Sequence, residues 1–156
     1  MRLYLVQHAE AKGKDEDPDR PLTERGRKAA RQVAGFVAQS SLRAERILHS
    51  GKTRARQTAE VFAGALDPDE VGEQKGLAPL DDPGGAAGLL TPEEGSLMLV
   101  GHLPHLRRLA GLLLCGDIDS QAVRFRNAGV VALADGGDGW ALQWAVIPEL
   151  LSGQVD

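Results

Sequence analysis

Residues 3–8 read LYLVQH, an apolar run of strand-forming residues that leads directly into His8. Residues 97–102 read LMLVGH and end in the same way, on His102. Short runs that are apolar throughout are typical of strands buried on both faces of a sheet. A third short run, residues 46–49, also has the composition of a strand. These runs predict a parallel sheet whose strands end in polar, chemically reactive residues.

Amphipathic helices are predicted between these strands. Thr23 is a suitable N-cap for a helix with apolar residues at i, i+3, i+4 and i+7, a second helix begins near Lys52, and Pro104 suits the first turn of a third. Two further strand-like runs, 130–133 and 140–146, flank a glycine-rich turn and predict a terminal hairpin. Strands alternating with helices predict a three-layer α/β/α sandwich with a mainly parallel sheet and an antiparallel edge.

The composition is that of a globular protein with one domain. The chain has 156 residues, of which 42% are hydrophobic and 26% charged, and we predict a single domain over residues 1–156. A formal net charge of −4 argues against broad nucleic-acid binding. The lone cysteine, Cys115, cannot form an internal disulfide, and no apolar run has the length of a signal peptide or a membrane span. We therefore expect a cytoplasmic protein, monomeric by default, with neither a nucleic-acid nor a membrane partner.

The polar strand ends are predicted to form one site. In open α/β sheets, ligands bind at the carboxyl ends of the strands, where helix N-termini also point. That arrangement brings His8, His102 and the basic stretch 52–56 to the same edge. Two histidines, several cations and free helix N–H groups favour phosphate as the ligand.

Four segments in order resemble the histidine phosphatase superfamily, and within it the compact phosphohistidine phosphatases. Residues 3–11 resemble its opening strand with the Arg-His-Gly signature, and residues 20–26 resemble the segment that follows. Residues 50–59 are similar to its Ser-Pro-x-x-Arg-Ala-x-Gln-Thr-Ala element, and residues 100–104 to its late Gly-His-Asn-Pro element. The resemblance covers nearly the whole chain and implies a phosphoglycerate mutase-like fold.

The resemblance also implies roles for individual residues. His8 is the expected nucleophile, Arg54 binds phosphate oxygens, and His102 donates to the charge that develops during transfer. Gln7 and Lys52 complete the expected phosphate-binding set. The scheme needs no metal and no other cofactor, because cations and N–H groups supply the electrostatics.

The chain departs from the family pattern at several positions. Gln7 replaces the first arginine, which removes a charge and a bidentate guanidinium, and we expect Lys52 to restore part of that charge. Ala9 replaces a glycine, Gly51 replaces a proline that commonly opens the second helix, and Leu103 replaces an asparagine. We expect the change at Gly51 to be minor.

The proton donor has no clear sequence signal. Asp81 and Asp82 lie in the variable segment from which an acid can enter the site, and solvated loop aspartates are the alternative. Glu10 is a further candidate, with a surface role as its alternative.

The predicted activity is dephosphorylation of phosphohistidine in a protein through a phosphohistidine enzyme intermediate. The partner would then be a phosphorylated protein, for example a histidine phosphotransfer domain. The chain shows no large insertion that would enclose a small substrate, which modestly favours the protein substrate. Two alternatives stay open: a small-molecule phosphomonoesterase or mutase of the same fold, and a non-catalytic phosphate or phosphoprotein binder, motivated by Gln7.

Other chemically distinctive residues are predicted to have structural roles. His49 packs or meets solvent at a strand end, His105 lies on an exposed helix face, and Cys115 is a small buried residue. Trp140 and Trp144 share one face of the last strand by period-two alternation, which indicates core packing. The histidines show neither the i, i+4 spacing nor the cysteine partners of a zinc site, so we predict no bound metal.

Overall fold

A six-stranded sheet runs through the centre of the fold. The computed structural model describes residues 1–154; Val155 and Asp156, which the predicted domain also includes, lie outside the described residues. The strands are β1 (Arg2–Gln7), β2 (Arg46–His49), β3 (Glu70–Glu73), β4 (Ser96–Gly101), β5 (Val130–Asp135) and β6 (Trp140–Val146). Their order is β3-β2-β4-β1-β5-β6. The first four strands are parallel, whereas β5 and β6 are antiparallel to their neighbours. The predicted mainly parallel sheet with an antiparallel edge is confirmed.

Helices cover both faces of the sheet. They are α1 (Glu24–Gln39), α2 (Thr53–Leu66), α3 (Pro83–Ala87), α4 (His105–Cys115) and α5 (Pro148–Ser152), with one 3-10 turn at Pro92–Glu94. Side chains of α1, α2 and α5 pack on one face, and those of α3 and α4 on the other. The three-layer sandwich is therefore confirmed. Within residues 1–154, no helix is both long enough and apolar enough to cross a membrane.

Local signals explain how the two helices on the first face begin. The hydroxyl of Thr23 accepts a hydrogen bond from the N–H of Gly26 at 2.9 Å, the predicted N-cap of α1. The residue before the N-cap of α2 is Gly51, with φ +87°, a conformation that proline cannot adopt. A proline could therefore not stand here without a different backbone conformation at this position, and the expectation that the change is minor stays a prediction.

Two elements had no signal in the sequence. The edge strand β3 is mostly exposed, so it has no apolar pattern and is defined by its pairing with β2. The short helix α5 packs Leu151 against the core on the α1 side. Both depend on contacts between segments distant in the chain.

The prediction that Trp140 and Trp144 share a face was wrong. Trp144 pairs with Ala132 but Leu142 pairs with Leu133, so Gln143 is an extra residue that reverses the alternation. Trp140 consequently packs on the α4 side. The ring of Trp144 lies on the other face, 6.1 Å from that of Tyr4, and is 39% exposed.

Two helix residues also differ from expectation. Cys115 is exposed, because it is the last residue of α4 and lies beyond the part of the helix that packs on the sheet. His105 is fully buried at the start of the same helix. His49 packs, with 7% of its surface exposed, as one of the two outcomes allowed for it.

Candidate active site

The strands that carry the predicted site are neighbours in the sheet. β2, β4 and β1 lie side by side and parallel, so the residues after their carboxyl ends meet at one edge. His8 follows β1, Ser50 follows β2, and His102 follows β4. The ring centroids of His8 and His102 are 5.1 Å apart. The structure therefore brings together the two histidines that the sequence singled out.

The ring and backbone of His8 are held by three hydrogen bonds. Nδ1 lies 2.7 Å from the carbonyl oxygen of Ala9, and since a carbonyl only accepts, Nδ1 carries the proton. The backbone N–H of His8 donates to Gly101 at 3.0 Å, and Nδ2 of Asn127 donates to the carbonyl of His8 at 2.8 Å. Nε2 makes no hydrogen bond within residues 1–154. In the neutral ring this nitrogen has a free lone pair.

The surroundings keep both histidines neutral. Burial lowers the pKa of His8 to about 4, and the positive charges of Arg54 and Arg20 contribute, against the opposing effect of the Ala9 carbonyl. Burial also lowers the pKa of His102 to about 3, with smaller contributions from His8, Arg54 and Lys52. A neutral imidazole at His8 is what nucleophilic attack requires.

The ring of His102 is anchored to the end of β2. Its Nε2 lies 2.6 Å from the hydroxyl of Ser50, and that hydroxyl also accepts from the N–H of Lys52 at 3.4 Å. Nδ1 of His102 is buried and has no hydrogen-bond partner within the described chain, 1–154. His102 is therefore oriented from one side only.

Arg54 is held at the second position of α2 by a short relay. The carbonyl of Arg54 accepts from the hydroxyl of Thr58 at 2.8 Å, and that hydroxyl accepts from the N–H of Ala9 at 2.9 Å. Nε of Arg54 is buried without a partner in residues 1–154. The pKa of Arg54 is lowered by burial and by the charge of Arg20. An unsatisfied guanidinium N–H beside two neutral histidines is suited to an anionic ligand.

The two other predicted phosphate ligands occupy different environments. Lys52 is exposed and lies at the N-cap of α2, one position before the first residue of the helix. Its charge nevertheless acts on His102. Gln7 is partly buried, and its Oε1 has no partner within residues 1–154. Arg56, in the same basic stretch, forms an ion pair with Glu60 at 3.0 Å.

The proposed proton donors make local hydrogen bonds. Oδ2 of Asp81 accepts from the N–H of Ala78 at 2.9 Å, and Oδ1 of Asp82 caps α3 by accepting from Gly84 at 2.8 Å. Burial lowers the pKa of His105, and the negative charges of Asp81 and Asp82 oppose that effect. Their role as donors stays a prediction.

Glu10 has strong local partners. Its carboxylate accepts from the hydroxyl of Thr23 at 2.8 Å and forms an ion pair with Arg25. Both contacts lower the pKa of Glu10, which favours the charged form rather than a proton-donating one.

Three residues of the site were not selected from the sequence: Arg20, Ser50 and Asn127. Arg20 lies in the loop after β1, has φ +50°, and donates from Nε to the carbonyl of Lys12 at 3.1 Å. Arg20 and Ser50 could have been selected from the sequence, because each lies in a segment that resembles the family. Asn127 had no signal, because it acts through the backbone of a residue 119 positions away.

No metal centre is formed by the described residues. Within residues 1–154, no group of three His, Cys, Asp or Glu side chains is placed to hold a metal ion. The charge available to a ligand at this site instead comes from Arg20, Arg54 and Lys52. None of these three cations takes part in an ion pair with a residue of the described chain.

Comparison with known proteins assigns the chain to a family. The pattern that defines the histidine phosphatase superfamily (branch 1) matches residues 3–81. An uncharacterised protein of Picosynechococcus sp. is 35% identical over 143 residues, which is 87% of this chain and 86% of that protein. The chain belongs to the histidine phosphatase superfamily.

Two further matches cover nearly the whole chain. The phosphohistidine phosphatase SixA of Escherichia coli is 28% identical over 154 residues, covering 95% of this chain and 94% of SixA. A solved structure of the protein histidine phosphatase SixA complexed with tungstate has a TM-score of 0.86 and 26% identity, covering 97% of this chain and 99% of that one. These similarities support a phosphatase with the phosphoglycerate mutase-like fold.

Proposed function

We propose that this protein is a phosphatase in which His8 takes phosphate from a phosphohistidine side chain of another protein. The observation that carries the proposal is the state of His8: Nδ1 is bound to the Ala9 carbonyl, and the pKa is lowered to about 4, so Nε2 is an available nucleophile. The similarity to SixA, which is named for phosphohistidine, supports the choice of substrate.

The reaction takes two steps. The phosphorus–nitrogen bond of the donor breaks as phosphorus bonds to Nε2 of His8, and the donor imidazole leaves with the electron pair and takes up a proton from water. Water oxygen then bonds to phosphorus and releases a proton to solvent, the bond to His8 breaks, and inorganic phosphate leaves while His8 recovers its electron pair. Arg54 binds the phosphate oxygens through both steps, and His102 stabilises the developing charge.

Cations around the site support phosphate binding. Arg20, Arg54 and Lys52 supply positive charge, and the buried Nε of Arg54 gains the partner it lacks when an oxyanion binds. Tungstate, the ligand in the structurally similar SixA complex, is a tetrahedral oxyanion like phosphate. Transfer between two imidazoles is nearly isoenergetic, so the donor needs little help from an acid, and neither Asp81 nor Asp82 has to be close to His8 for it.

The alternative of a non-catalytic phosphate binder has one specific observation in its favour. Gln7 stands where the family has arginine, and its buried Oε1 has no partner within residues 1–154. An uncharged amide stabilises a phosphoryl group less than a guanidinium does, by about 1.5–3 kcal/mol for one charge-assisted contact. A non-catalytic binder is expected to bind phosphate or a phosphoprotein and to release phosphate slowly or not at all.

The test compares the native chain with His8→Asn, which keeps a polar side chain of similar volume. A phosphohistidine-bearing protein is supplied in the presence of a chelator, and phosphate release is measured. Brief incubation with radiolabelled donor, followed by alkaline quenching, should trap label on the native chain and none on His8→Asn. A thermal melt in the presence of tungstate shows whether the variant still folds and binds oxyanion.

The outcomes separate the two functions. Turnover that survives the chelator and is lost in His8→Asn supports the phosphatase without a metal requirement. Tungstate binding without turnover or label in the native chain supports the binding protein instead. Faster hydrolysis of a small phosphate ester than of the phosphoprotein favours the small-molecule phosphatase. The monomeric state and cytoplasmic location predicted from the sequence stay predictions.

A further inference from the structure

A shallow groove of about 300 Å³ lies beside the site. It combines an apolar floor with cationic side chains on its rim. We call it the arginine groove and define it by six residues: Leu103, Arg107, Val123, Arg124, Phe125 and Arg126.

The arginine groove adjoins the catalytic histidines through the chain itself. On one side, Leu103 is the residue immediately after His102. On the other side, Arg126 immediately precedes Asn127, whose amide holds the backbone carbonyl of His8 at 2.8 Å. A protein whose phosphohistidine reaches His8 therefore presents neighbouring surface to this groove.

The charged residues of the arginine groove are all positive. Arg107, Arg124 and Arg126 line the groove together with no acidic residue. None of the four ion pairs within residues 1–154 involves any of them. The chain as a whole has a net charge of −4, so the concentration of arginine here runs against the average. An unneutralised cationic rim attracts anionic groups and orients their approach.

The floor of the groove has the composition of a protein-binding surface. Val123 and Phe125 are each 9% exposed, and Leu103 is 41% exposed beside them. Arginine and aromatic residues around an apolar centre are enriched in protein interfaces. A groove that is open and partly apolar suits a folded partner's surface better than it suits a small, fully charged metabolite.

We propose that the arginine groove binds an acidic patch on the phosphoprotein substrate, next to the phosphohistidine that enters the site. This inference rests on the proposed function and narrows its substrate to proteins with acidic surface around the phosphorylated histidine. The groove contributes to association and to choice of partner, whereas His8, Arg54 and His102 carry the chemistry. Rim charges of this kind act mainly on the association rate and its salt dependence.

The test reverses the charge of the rim and compares two donors. The triple variant Arg107→Glu, Arg124→Glu, Arg126→Glu is assayed with a phosphorylated histidine phosphotransfer domain of net negative charge and with phosphoramidate, a small phosphorus–nitrogen compound. We expect kcat/KM for the protein to fall at least tenfold at low salt, while kcat/KM for phosphoramidate stays within about twofold. The corresponding triple change to Gln removes the charge without reversing it. Its kcat/KM for the protein donor should lie between that of the native chain and that of the Glu variant.

A matched control carries the same change in net charge on the opposite face of the sheet. Lys28→Glu, Arg31→Glu, Arg43→Glu alters three exposed cations on or after α1, and we expect it to leave both donors nearly unaffected. An equal fall for both donors in the groove variant would overturn the proposal, because the groove would then support the site rather than the partner. So would an unchanged rate with the protein donor.

Failure of the proposed function gives a different result. If the native chain hydrolyses neither donor, calorimetric titration with the unphosphorylated acidic domain tests the groove alone. Binding to the native chain that is lost in the groove variant and kept in the control retains the docking surface without the activity. If the native chain does not bind the acidic domain either, both the docking surface and the proposed activity are refuted.

Discussion

The hydroxyl of Ser50 lies 2.6 Å from Nε2 of His102, joining the residue that follows β2 to the residue that follows β4. This is the only side-chain hydrogen bond that His102 makes within residues 1–154, since its Nδ1 is buried without a partner. Ser50 is thus a positioning residue: it holds the ring that we propose stabilises the transferred phosphoryl group.

Replacing Ser50 with alanine should lower activity without unfolding the chain. One hydrogen bond contributes about 0.5–1.5 kcal/mol, so kcat/KM should fall by up to about tenfold, with most of the loss in kcat. The measurement is steady-state hydrolysis of phosphoramidate. Ser40→Ala is the control, because Ser40 is exposed at the end of α1 and its hydroxyl hydrogen-bonds, within residues 1–154, only to the Phe36 carbonyl, at 3.4 Å. Equal rates for the native chain and Ser50→Ala would show that His102 needs no such anchor.

Gln7→Arg should strengthen phosphate binding by restoring the guanidinium typical of the family. One additional charge-assisted contact is worth about 1.5–3 kcal/mol, which corresponds to at least a tenfold lower inhibition constant for inorganic phosphate. This inhibition constant is measured from competitive inhibition of phosphoramidate hydrolysis by inorganic phosphate. Weaker inhibition by phosphate in the variant would mean that the site is shaped around the smaller amide.

Lys52→Ala should weaken phosphate binding, because Lys52 is the exposed cation whose charge acts on His102. An exposed charge contributes about 0.2–1 kcal/mol, so the phosphate inhibition constant should rise by up to about fivefold. Removing a cation also favours the imidazolium, so the pKa of His102 should rise toward its ordinary value. Lys28→Ala on α1 serves as the control, and an unchanged affinity in Lys52→Ala would refute the compensation for Gln7.

The pH dependence of His8 should differ from that of a free histidine. Its pKa is lowered to about 4 by burial and nearby arginines, so the ring should stay neutral from pH 8 to about 5. Proton NMR of the imidazole C2 signals, assigned with His8→Asn, checks this directly. A midpoint near 6.5 would contradict the neutral nucleophile at mildly acidic pH.

The same lowered pKa makes the fold sensitive to acid. Below pH 6.5 the unfolded chain binds a proton at His8 that the folded chain does not bind until about pH 4. The free energy of unfolding should therefore decrease as pH falls through this window, and decrease less steeply in His8→Asn. Urea denaturation at pH 7, 5.5 and 4.5 measures both slopes.

Two glycines of α1 should respond in opposite ways to alanine. A Cβ on Gly26 would overlap the backbone carbonyl of Glu10, two residues beyond His8, so Gly26→Ala should cost about 1–3 kcal/mol through overpacking and should reduce activity. A Cβ on Gly35 meets nothing within 4 Å, so Gly35→Ala should stabilise the protein by about 0.5–1 kcal/mol. Urea denaturation measures the free energy of unfolding of the two variants. Similar values would show that the backbone of the loop after β1 can shift to accommodate the added Cβ at little cost.

Much of the fold followed from local patterns in the sequence. Buried parallel strands are apolar throughout, so β1 and β4 were recognisable within their own few residues. Thr23 and the apolar spacing after it likewise located α1. Since parallel strands place their carboxyl ends at one edge, the meeting of His8 and His102 was predictable before any contact was known.

Other features depended on segments far apart in the chain, and only the tertiary structure decided them. The exposed strand β3 is defined by its neighbour, and the bulge at Gln143 that separates Trp140 from Trp144 arises from pairing rather than from composition. Asn127 reaches the backbone of His8 across 119 positions.

The sequence by itself was enough to propose His8 as the nucleophile, to propose its phosphate-binding partners and to predict the sheet edge where they meet, because each lies in a short motif next to a strand. The tertiary structure decided that His8 is neutral, that Ser50 anchors His102, and that arginines gather beside them. Burial, hydrogen-bond geometry and the local sum of charges depend on which residues are close together in the folded chain. A short sequence motif does not specify them.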